Sequence, residues 1–523
     1  MVEMYPGRHA IERADQACFI MAGSGETVTY AEFEARTNRL AHLFRATGLG
    51  HRDHYAVFME NNSRYLECCG AGERTGLYCT AVNSHLTVDE LAYIVDNSES
   101  RALIVSAATL AVAQQALESC PRLELLLVVD ERGELDAGQR GRFRDFLEAT
   151  SEFPDTPVAD ERRGRVMLYS SGTTGRPKGI IQELPDLPPE APLAPLEVLA
   201  ELWGYREAMT YLSPAPLYHS APQVAVGMTI RMGGTAIIME RFDAQEYLRL
   251  VETYQVTHSQ LVPTMFSRIL KLPDDVRRSY DVSSLEVVVH GAAPCPIPVK
   301  EQMIDWWGPI IREYYGATEA MGFIACNSEE WLAHQGTVGR VVSGELHVCD
   351  EDMNEVPPGT PGTLWFATPK PVQYFGDPER SREARSPDGR MSTVGDVGYV
   401  DRDGYVYLTD RKTFMIISGG VNIYPQETEN LLITHPKVAD AAVFGIPHPD
   451  LGEEVKAAVE LLPGVQPGPE VEAELIEFCL ANLSRHKCPR SIDFEEKLPR
   501  LATGKLYKRQ LRDKYWADAP ARI

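Results

Sequence analysis

The sequence predicts an α/β protein, and two observations carry that prediction. Six short segments rich in Val, Ile and Leu are bounded by turn residues, as is typical of buried strands. These segments are 54–59, 102–106, 123–129, 166–170, 235–239 and 287–290. Amphipathic helical patterns lie between them. Strands that alternate with helices form mainly parallel sheets covered by helices, so we expect α/β layers over the first 410 residues.

Two of the helices can be located by their first turns. Thr29 and Glu32 have the spacing of a capping box, in which a hydroxyl and a carboxylate satisfy free backbone N–H groups. Apolar residues follow at helical spacing, beginning with Phe33. Thr87 and Glu90 repeat the pattern before a second apolar face. Both sites are predicted helix starts.

The composition changes after the α/β part. Residues 343–421 are rich in Gly and Pro and contain short alternating runs at 364–367 and 405–408, which favour antiparallel strands. The following residues combine strands at 441–445 and 455–460 with a helix at 471–483. We therefore predict one domain over residues 1–410 and a second over residues 411–523.

Charge and cysteine usage exclude several classes of protein. The 523 residues carry a formal net charge of -24. Binding of nucleic acids or of anionic membranes needs basic surface, so neither is expected. The chain begins without an apolar leader and has no apolar run of roughly 18 residues, which predicts a cytoplasmic protein without membrane spans. Ten cysteines without a CxxC pair predict reduced, buried thiols and no zinc site.

The residues from Ser170 to Gly179 are the strongest local signal. They read Ser-Ser-Gly-Thr-Thr-Gly-Arg-Pro-Lys-Gly and follow a predicted strand, where α/β sheets bind ligands. Glycines let backbone N–H groups approach an anion, hydroxyls donate further hydrogen bonds, and Arg176 and Lys178 add positive charge. Pro177 and Lys178 replace the Gly-Lys-Ser/Thr of a Walker A loop. Composition alone leaves open an ordinary surface loop.

The string closely resembles the phosphate loop of the adenylate-forming superfamily, which includes acyl-CoA synthetases, firefly luciferases and peptide-synthesis adenylation domains. The other motifs of that superfamily follow in order along nearly the whole chain. The resemblance implies a large N-terminal domain of two α/β layered subdomains plus a small β-barrel, followed by a small mobile α+β C-terminal domain. It also implies that ATP phosphates are held by Ser170, Ser171, Gly172, Thr173, Thr174, Gly175 and Lys178.

Residues 314–319, Tyr-Tyr-Gly-Ala-Thr-Glu, are similar to the adenine and metal motif of these enzymes. The resemblance implies that Tyr315 stacks on adenine beside Gly316, that Thr318 contacts the α-phosphate and that Glu319 holds Mg²⁺, which prefers hard oxygen ligands. A buried Tyr-Tyr pair would be the structural alternative. Gly291, Ala292 and Ala293 resemble the segment that lies against adenine and the acyl group, and a simple turn is their alternative.

Two further residues resemble those that contact the ribose. Asp396 follows Thr-Val-Gly, and a carboxylate can accept hydrogen bonds from both ribose hydroxyls. Arg411 resembles an arginine that contacts the same sugar. Either residue could instead belong to a surface ion pair. Thr413 departs from the superfamily, because the hinge residue there is usually Asp or Lys.

The catalytic and acceptor residues come from the same resemblance. Lys505, in Leu-Ala-Thr-Gly-Lys, resembles the catalytic lysine, which would offset charge at the α-phosphate; an exposed turn is the alternative. His219 resembles the residue that gates the acyl site, although a lone histidine is often structural. Gly419 and Gly420 resemble the loop beside the pantetheine tunnel.

These residues imply an ATP-dependent ligase that activates a carboxylic acid and uses Mg²⁺ and coenzyme A. Residues 213–223 contain no acidic side chain to pair with an amino group, which disfavours an amino acid substrate. The predicted acyl site (213–227, 288–294 and 314–322) is apolar, so we expect a fatty, steroid side-chain, terpenoid or large aromatic acid. Two alternatives remain: transfer of the acyl group to a carrier protein, and a non-catalytic nucleotide-binding scaffold. A homodimer is left open.

Overall fold

The computed structural model describes residues 5–170, 177–192, 194–368, 371–411, 414–418, 421–500 and 506–516. Its strands and helices form an α/β protein with mixed sheets, which confirms the predicted fold class. The chain divides into two compact units. Unit 1 comprises Met1–Gln260, Ser279–Val287 and Gln373–Ser381, and unit 2 comprises Leu261–Arg278, Val288–Val372 and Arg382–Ile523.

The strands are, in chain order, β1 (Ala17–Met21), β2 (Thr27–Thr29), β3 (His54–Phe58), β4 (Tyr78–Val82), β5 (Ser100–Ser106), β6 (Leu125–Val129), β7 (Arg144–Asp145), β8 (Arg165–Ser170), β9 (Lys178–Ile180), β10 (Thr210–Ser213), β11 (Thr235–Ile238), β12 (His258–Leu261), β13 (Val287–His290), β14 (Ile311–Gly316), β15 (Phe323–Cys326), β16 (Arg340–Ser343), β17 (Glu345–Cys349), β18 (Gly362–Ala367), β19 (Met391–Ser392), β20 (Asp396–Val400), β21 (Val406–Arg411), β22 (Ile416–Ser418), β23 (Val421–Ile423), β24 (Val438–His448), β25 (Gly452–Leu461) and β26 (Ser491–Phe494).

The α-helices are α1 (Pro6–Glu12), α2 (Tyr30–Ala46), α3 (Ser63–Thr75), α4 (Val88–Asn97), α5 (Leu110–Ala116), α6 (Ala137–Arg140), α7 (Phe146–Ser151), α8 (Ala194–Trp203), α9 (Ser220–Arg231), α10 (Ala244–Tyr254), α11 (Pro263–Leu270), α12 (Asp274–Arg277), α13 (Ile297–Trp307), α14 (Ser328–Ala333), α15 (Pro378–Glu383), α16 (Pro425–Leu432), α17 (Pro469–Asn482) and α18 (Lys508–Trp516). Short 3₁₀ turns lie at Leu117–Ser119 and Arg485–Lys487.

Unit 1 contains a seven-stranded sheet in the order β7-β6-β5-β3-β4-β8-β9. Every neighbouring pair is parallel except β8 and β9, which form an antiparallel hairpin. Every residue of β3, β4 and β6 is buried, as expected for parallel strands covered on both faces. A continuous apolar run, rather than alternation, is therefore the correct signal for these strands.

A second group of strands in unit 1 surrounds β10. This strand pairs in parallel with β11 on one side and with β12 on the other. β11 also pairs in parallel with β1, whose other neighbour is the antiparallel β2. All six segments predicted as strands are strands in the structure, so that prediction is confirmed.

Unit 2 begins its sheet structure with β13 and β14, which are parallel; β15 and β16 follow as antiparallel neighbours. A separate five-stranded antiparallel sheet has the order β17-β18-β20-β21, with β19 paired to β18. The antiparallel strands predicted over residues 343–421 are thus confirmed, and antiparallel pairing in unit 2 begins earlier in the chain, between β14 and β15. The predicted domain boundary after residue 410 falls in β21 and stays a prediction.

The last part of unit 2 has its own five-stranded sheet. β25 pairs with β24 and β22 in antiparallel fashion and with β26 in parallel, and β22 pairs with β23. Its core combines apolar strand residues with Leu432 of α16 and with Leu475 and Cys479 of α17. The predicted helix over 471–483 is therefore α17, and its apolar face covers the sheet.

Both predicted helix starts are confirmed. Thr29 and Glu32 form the capping box of α2: the Glu32 backbone N–H donates to the Thr29 hydroxyl at 3.2 Å, and the Thr29 N–H donates to Glu32 at 2.9 Å. Thr87 donates its backbone N–H to Glu90 at 2.9 Å at the start of α4. All ten cysteines are free thiols; eight are buried as predicted, whereas Cys69 and Cys295 are partly exposed. Among the described residues, no helix is both long enough and apolar enough to cross a bilayer.

Candidate functional site

The ends of the predicted phosphate loop are fixed by the hairpin β8–β9 in unit 1. Ser170 closes β8, Lys178 opens β9, and their backbones are paired across the hairpin. Ser171, Gly172, Thr173, Thr174 and Gly175 lie outside the described residues. β8 is itself parallel to β4, so the loop follows the carboxyl end of a parallel strand, the position at which open α/β sheets bind ligands.

Lys178 has an aromatic neighbour in the described structure. Its Nζ lies 4.7 Å from the centroid of the Tyr374 ring, and a backbone bridge joins Tyr374 to Ile180. The Phe375 N–H donates to the Gly179 carbonyl at 2.8 Å. A Cβ at Gly179 would lie 2.8 Å from Met167 Cε, so a larger residue there would displace the end of the Met167 side chain. These contacts anchor the second strand of the hairpin.

His219 lies in unit 1 at the end of the 213–219 loop, which begins with the last residue of β10 and joins β10 to α9. It is the residue immediately before α9, and its ring meets Tyr218 edge-on with centroids 4.5 Å apart. Its Nε2 is shielded from solvent and has no hydrogen-bond partner among the described residues. Burial lowers the pKa of His219 to about 3. The imidazole is therefore neutral near pH 7.

In unit 2 the structure brings together three residues that the sequence placed far apart. The Tyr315 hydroxyl donates to Asp396 Oδ2 at 2.7 Å across a separation of 81 residues. Tyr315 lies in β14, and the buried Asp396 opens β20. The Arg411 backbone is paired with Asp396 across β20 and β21. The predicted adenine and ribose residues thus share one small region.

Thr318 and Glu319 follow β14 in a turn. The Ala320 N–H donates to the Ala317 carbonyl at 2.9 Å, and Ala320 has a left-handed φ of 54°. Glu319 is partly exposed. Its carboxylate and the neighbouring hydroxyl are hard oxygen donors, and Mg²⁺ bound to nucleotides takes few protein ligands because phosphates and water supply the rest. The donor set therefore fits Mg²⁺.

Gly291, Ala292 and Ala293 follow β13, which is the parallel neighbour of β14. They accordingly share a sheet edge with Gly316 at the end of β14. A Cβ at Gly291 would lie 2.8 Å from the Tyr314 ring and 3.0 Å from its carbonyl oxygen, so glycine is needed for this close approach. Ala292 has a φ of 69°, a left-handed conformation that is uncommon for alanine.

A buried ion pair lies behind these two strand ends, and no sequence motif predicted it. Lys300 Nζ of α13 is 2.6 Å from Glu313 Oε2 of β14, and His290 Nε2 of β13 is 3.5 Å from the same oxygen. Burial raises the pKa of Glu313, and the Lys300 ammonium opposes that change. Burial, followed by the nearby ammonium, holds the pKa of His290 well below its usual value. The neighbouring Arg312 of β14 is also charged but only partly buried, so charge within the strand does not identify Glu313 as a buried residue.

The remaining predicted residues cannot be placed. Lys505, Gly419, Gly420 and Thr413 lie outside the described residues, as does the side chain of Arg411. The strands that flank residues 419–420 are paired, with Ser418 opposite Val421. On either side of residues 501–505, a backbone bridge joins Arg500 to Leu506.

Comparison with known proteins identifies the chain. Residues 2–373 match the AMP-binding enzyme family, and residues 427–505 match the AMP-binding enzyme C-terminal domain. The chain belongs to the AMP-binding enzyme family. The predicted membership of the adenylate-forming superfamily, in its acyl-CoA synthetase branch, is confirmed, and the protein is an AMP-forming ligase.

This family member is similar over its whole length to enzymes with different acids and acceptors. It is 31% identical over 510 residues to a fatty acid–[acyl-carrier-protein] ligase, ScoC, of Streptomyces coeruleorubidus, covering 95% of this chain and 94% of the relative. It is 34% identical over 501 residues to feruloyl-CoA synthase of an Amycolatopsis species, covering 94% of each. The amide bond synthetase McbA of Marinactinospora thermotolerans has a TM-score of 0.78 at 27% identity, covering 98% of this chain and 100% of that chain.

Proposed function

We propose that this chain is an ATP-dependent acyl-CoA ligase that converts a bulky or long apolar carboxylic acid into an acyl-adenylate and then into a coenzyme A thioester. The hydrogen bond between Tyr315 and Asp396 carries the proposal. This bond places the Tyr315 ring, which could stack on a base, beside the buried Asp396 carboxylate, which could bind a ribose. A nucleotide would therefore be held by both ends of its nucleoside.

The roles of the other nucleotide residues follow from their chemistry. Arg411 would contact the ribose, Thr318 the α-phosphate, and Gly291, Ala292 and Ala293 the adenine and acyl group. The loop from Ser170 to Gly175, with Lys178, would bind the β- and γ-phosphates through N–H groups, hydroxyls and an ammonium. Glu319 would hold Mg²⁺, which when bound neutralises phosphate charge.

The first step brings two anions together. A carboxylate oxygen attacks the α-phosphorus of ATP, the bond between the α-phosphorus and the bridging oxygen breaks, and pyrophosphate leaves. Lys505 would place its ammonium between the carboxylate and the α-phosphate and so offset charge that develops in the transition state. In the second step the thiol sulfur attacks the acyl carbon, AMP leaves, and the thiol proton is released. Gly419 and Gly420 would border the path of the pantetheine arm.

Support for an apolar acid comes from the 213–219 loop. His219 at its end is neutral near pH 7 because burial lowers its pKa to about 3. Residues 213–223 contain no carboxylate that could pair with an ammonium. An amino acid would thus lose its hydration without gaining an ion pair there. A fatty, steroid side-chain, terpenoid or large aromatic acid would avoid this penalty.

A carrier protein is the second candidate acceptor, because the chain resembles a fatty acid–[acyl-carrier-protein] ligase along nearly its whole length. Feruloyl-CoA synthase, which matches equally well, supports coenzyme A instead. Membership of a family of enzymes leaves a non-catalytic scaffold unsupported.

The test is a pyrophosphate-release screen over acids that differ in chain length and ring count, with and without coenzyme A. Acid-dependent release, with a thioester formed when coenzyme A is present, is the expected result. Release without thioester formation, followed by acyl transfer to a phosphopantetheinylated carrier, would establish the alternative acceptor. The absence of release with every acid would overturn the proposal.

Lys505→Ala separates the two steps. We expect adenylate formation to fall by a factor of about 10²–10³ or more, since removal of one charge-stabilising donor has effects of that size. Thioester formation from supplied acyl-adenylate should continue at a rate near that of the unaltered enzyme. Adenylate formation at the unaltered rate would show that Lys505 is not the catalytic lysine.

A further inference from the structure

Asn61 lies three residues beyond β3 in unit 1 and contacts two other parts of the same unit. It is 5% exposed. Its amide group donates to the Ala215 carbonyl at 3.1 Å and to the Met239 carbonyl at 2.8 Å, and it accepts from the Leu217 N–H at 2.7 Å. The neighbours are thus two residues of the 213–219 loop and the residue directly after β11.

These three bonds use both N–H groups of the amide and one of the two lone pairs of its oxygen. The orientation of the amide is fixed because the Leu217 N–H can donate to the amide oxygen but not to the amide nitrogen, which is itself a donor. The Leu217 N–H and the Met239 carbonyl would otherwise be buried without partners, since these residues are 0% and 2% exposed. A buried backbone group that lacks a hydrogen bond is destabilising, because it has given up its bond to water. Asn61 is therefore the means by which this irregular backbone can be buried.

The loop itself needs such support. It contains Pro214 and Pro216, which have no N–H to donate, so it cannot form a regular pattern of backbone hydrogen bonds. Its first residue is held by the end of the sheet, where the Met239 N–H donates to the Ser213 carbonyl at 3.0 Å. Its last part is closed by a bond from the His219 N–H to the Pro216 carbonyl at 3.2 Å. The middle of the loop is held by Asn61.

Asn62 provides an internal contrast. It is also 5% exposed, but its side chain serves the start of α3: it accepts from the Arg64 N–H at 3.0 Å and donates to the Glu60 carbonyl at 3.1 Å. Both contacts lie within two residues of Asn62. Two adjacent asparagines of equal burial therefore have different tasks, one local and one reaching more than 150 residues along the chain.

We infer that Asn61 is a positioning residue that sets which acids the enzyme accepts, by holding the middle of the 213–219 loop. This inference rests on the proposed function, in which that loop lines the acyl site. Loss of the amide would free the carbonyl of Ala215 and the N–H of Leu217 to shift toward other partners. A displacement of about 1 Å at a substrate-positioning group can lower a rate by a factor of about 10².

The test compares Asn61→Ala with Asn62→Ala in the pyrophosphate-release assay, using two acids that the unaltered enzyme discriminates strongly. Asn61→Ala should raise KM for the preferred acid at least tenfold and reduce the ratio of kcat/KM values between the two acids at least fivefold. KM for ATP should change less than threefold. Asn62→Ala, which removes a helix cap, should lower the melting temperature while leaving the ratio of the two acids and both KM values within twofold.

The selectivity ratio separates positioning from a general loss of structure, because a smaller folded fraction lowers the rates with both acids equally. If Asn61→Ala does not fold, Asn61→Asp takes its place, since it keeps the side-chain volume and the acceptor for Leu217. An unchanged ratio and an unchanged acid KM in a folded Asn61 variant would overturn the inference. Failure of the proposed function is a different result, because the unaltered enzyme would then release no pyrophosphate.

Discussion

The 213–219 loop of unit 1 and the strand pair β13–β14 of unit 2 are both held from behind by a buried polar side chain, but with opposite chemistry. A neutral amide, Asn61, holds the loop by three hydrogen bonds to backbone atoms. A charged pair, Lys300 and Glu313, lies behind the strands, with the two atoms 2.6 Å apart. The candidate site residues of the two regions differ in the same way. His219 is neutral, and its Nε2 has no hydrogen-bond partner among the described residues, whereas the Tyr315 hydroxyl donates to the Asp396 carboxylate.

The difference matches the ligands that we assign to each region. A nucleotide has the same charges and hydroxyls in every reaction of the family, so fixed and fully paired polar groups suit it. The acid varies between relatives. A binding region without charged side chains does not require the acid to carry a charged group in addition to its carboxylate. Loss of a neutral amide should also destabilise the fold less than loss of one member of a buried ion pair, because the second loss leaves an uncompensated buried charge.

The largest expected effect is on the charged side of this comparison. Lys300→Met should lower the free energy of unfolding by about 3–5 kcal/mol, because Glu313 would remain buried without its cation. The double variant Lys300→Met/Glu313→Leu should recover most of that loss. Urea unfolding at pH 7 measures both. A smaller loss of stability in Lys300→Met than in Asn61→Ala would contradict the difference that we infer between the charged and the neutral region.

The next effect concerns the neutral region. His219 has a pKa of about 3 in the folded protein against an ordinary value of 6.5, so below pH 6.5 the unfolded chain takes up a proton that the folded protein does not. Stability is therefore lost as the pH falls from 6.5 toward 3, by up to about 1.4 kcal/mol per pH unit.

His219→Phe removes this contribution. The loss of stability between pH 7 and pH 5 should be smaller by about 2 kcal/mol in the variant than in the unaltered protein. Urea unfolding at both pH values measures the difference, in which other histidines cancel. Equal losses in the two proteins would mean that His219 takes up its proton in the folded state, and the 213–219 region would then not be neutral.

The smallest effect is expected at the nucleotide residues. Tyr315→Phe removes the bond to Asp396 and should raise KM for ATP about tenfold, which corresponds to about 1.4 kcal/mol. The selectivity between acids should not change. Tyr407→Phe is the matched control, because Tyr407, in the antiparallel sheet that contains Asp396, also donates to a carboxylate, that of Asp401, at 3.3 Å. A changed acid selectivity in Tyr315→Phe would contradict the division of tasks between the two regions.

The sequence was sufficient for the six apolar strands that we predicted and for the family motifs. Buried parallel strands such as β3 and β6 are continuous apolar runs, and the first turn of α2 is encoded by residues three apart. These signals are local, so one stretch of chain contains them. Tyr315 and Asp396 could be named from their motifs, although their hydrogen bond could not be foreseen from two segments 81 residues apart.

The supporting residues were missed for the same physical reason. Asn61 acts through bonds to backbone atoms more than 150 residues away, and no local pattern specifies such a contact. Lys300 and Glu313 resemble any other charged residues of a helix and a strand until the fold brings them together. The roles of Lys505 and of the phosphate loop stay predictions.

The contacts of Asn61 have a consequence for altering this enzyme. Every partner of its amide is a main-chain atom, so the side chains of residues 213–219 take no part in the attachment. A combinatorial library that keeps Asn61, Pro214 and Pro216 could randomise Ala215, Leu217 and Tyr218 while retaining the point of attachment. The same holds for natural divergence: the acid that is accepted can change through substitutions of loop side chains while Asn61 is kept.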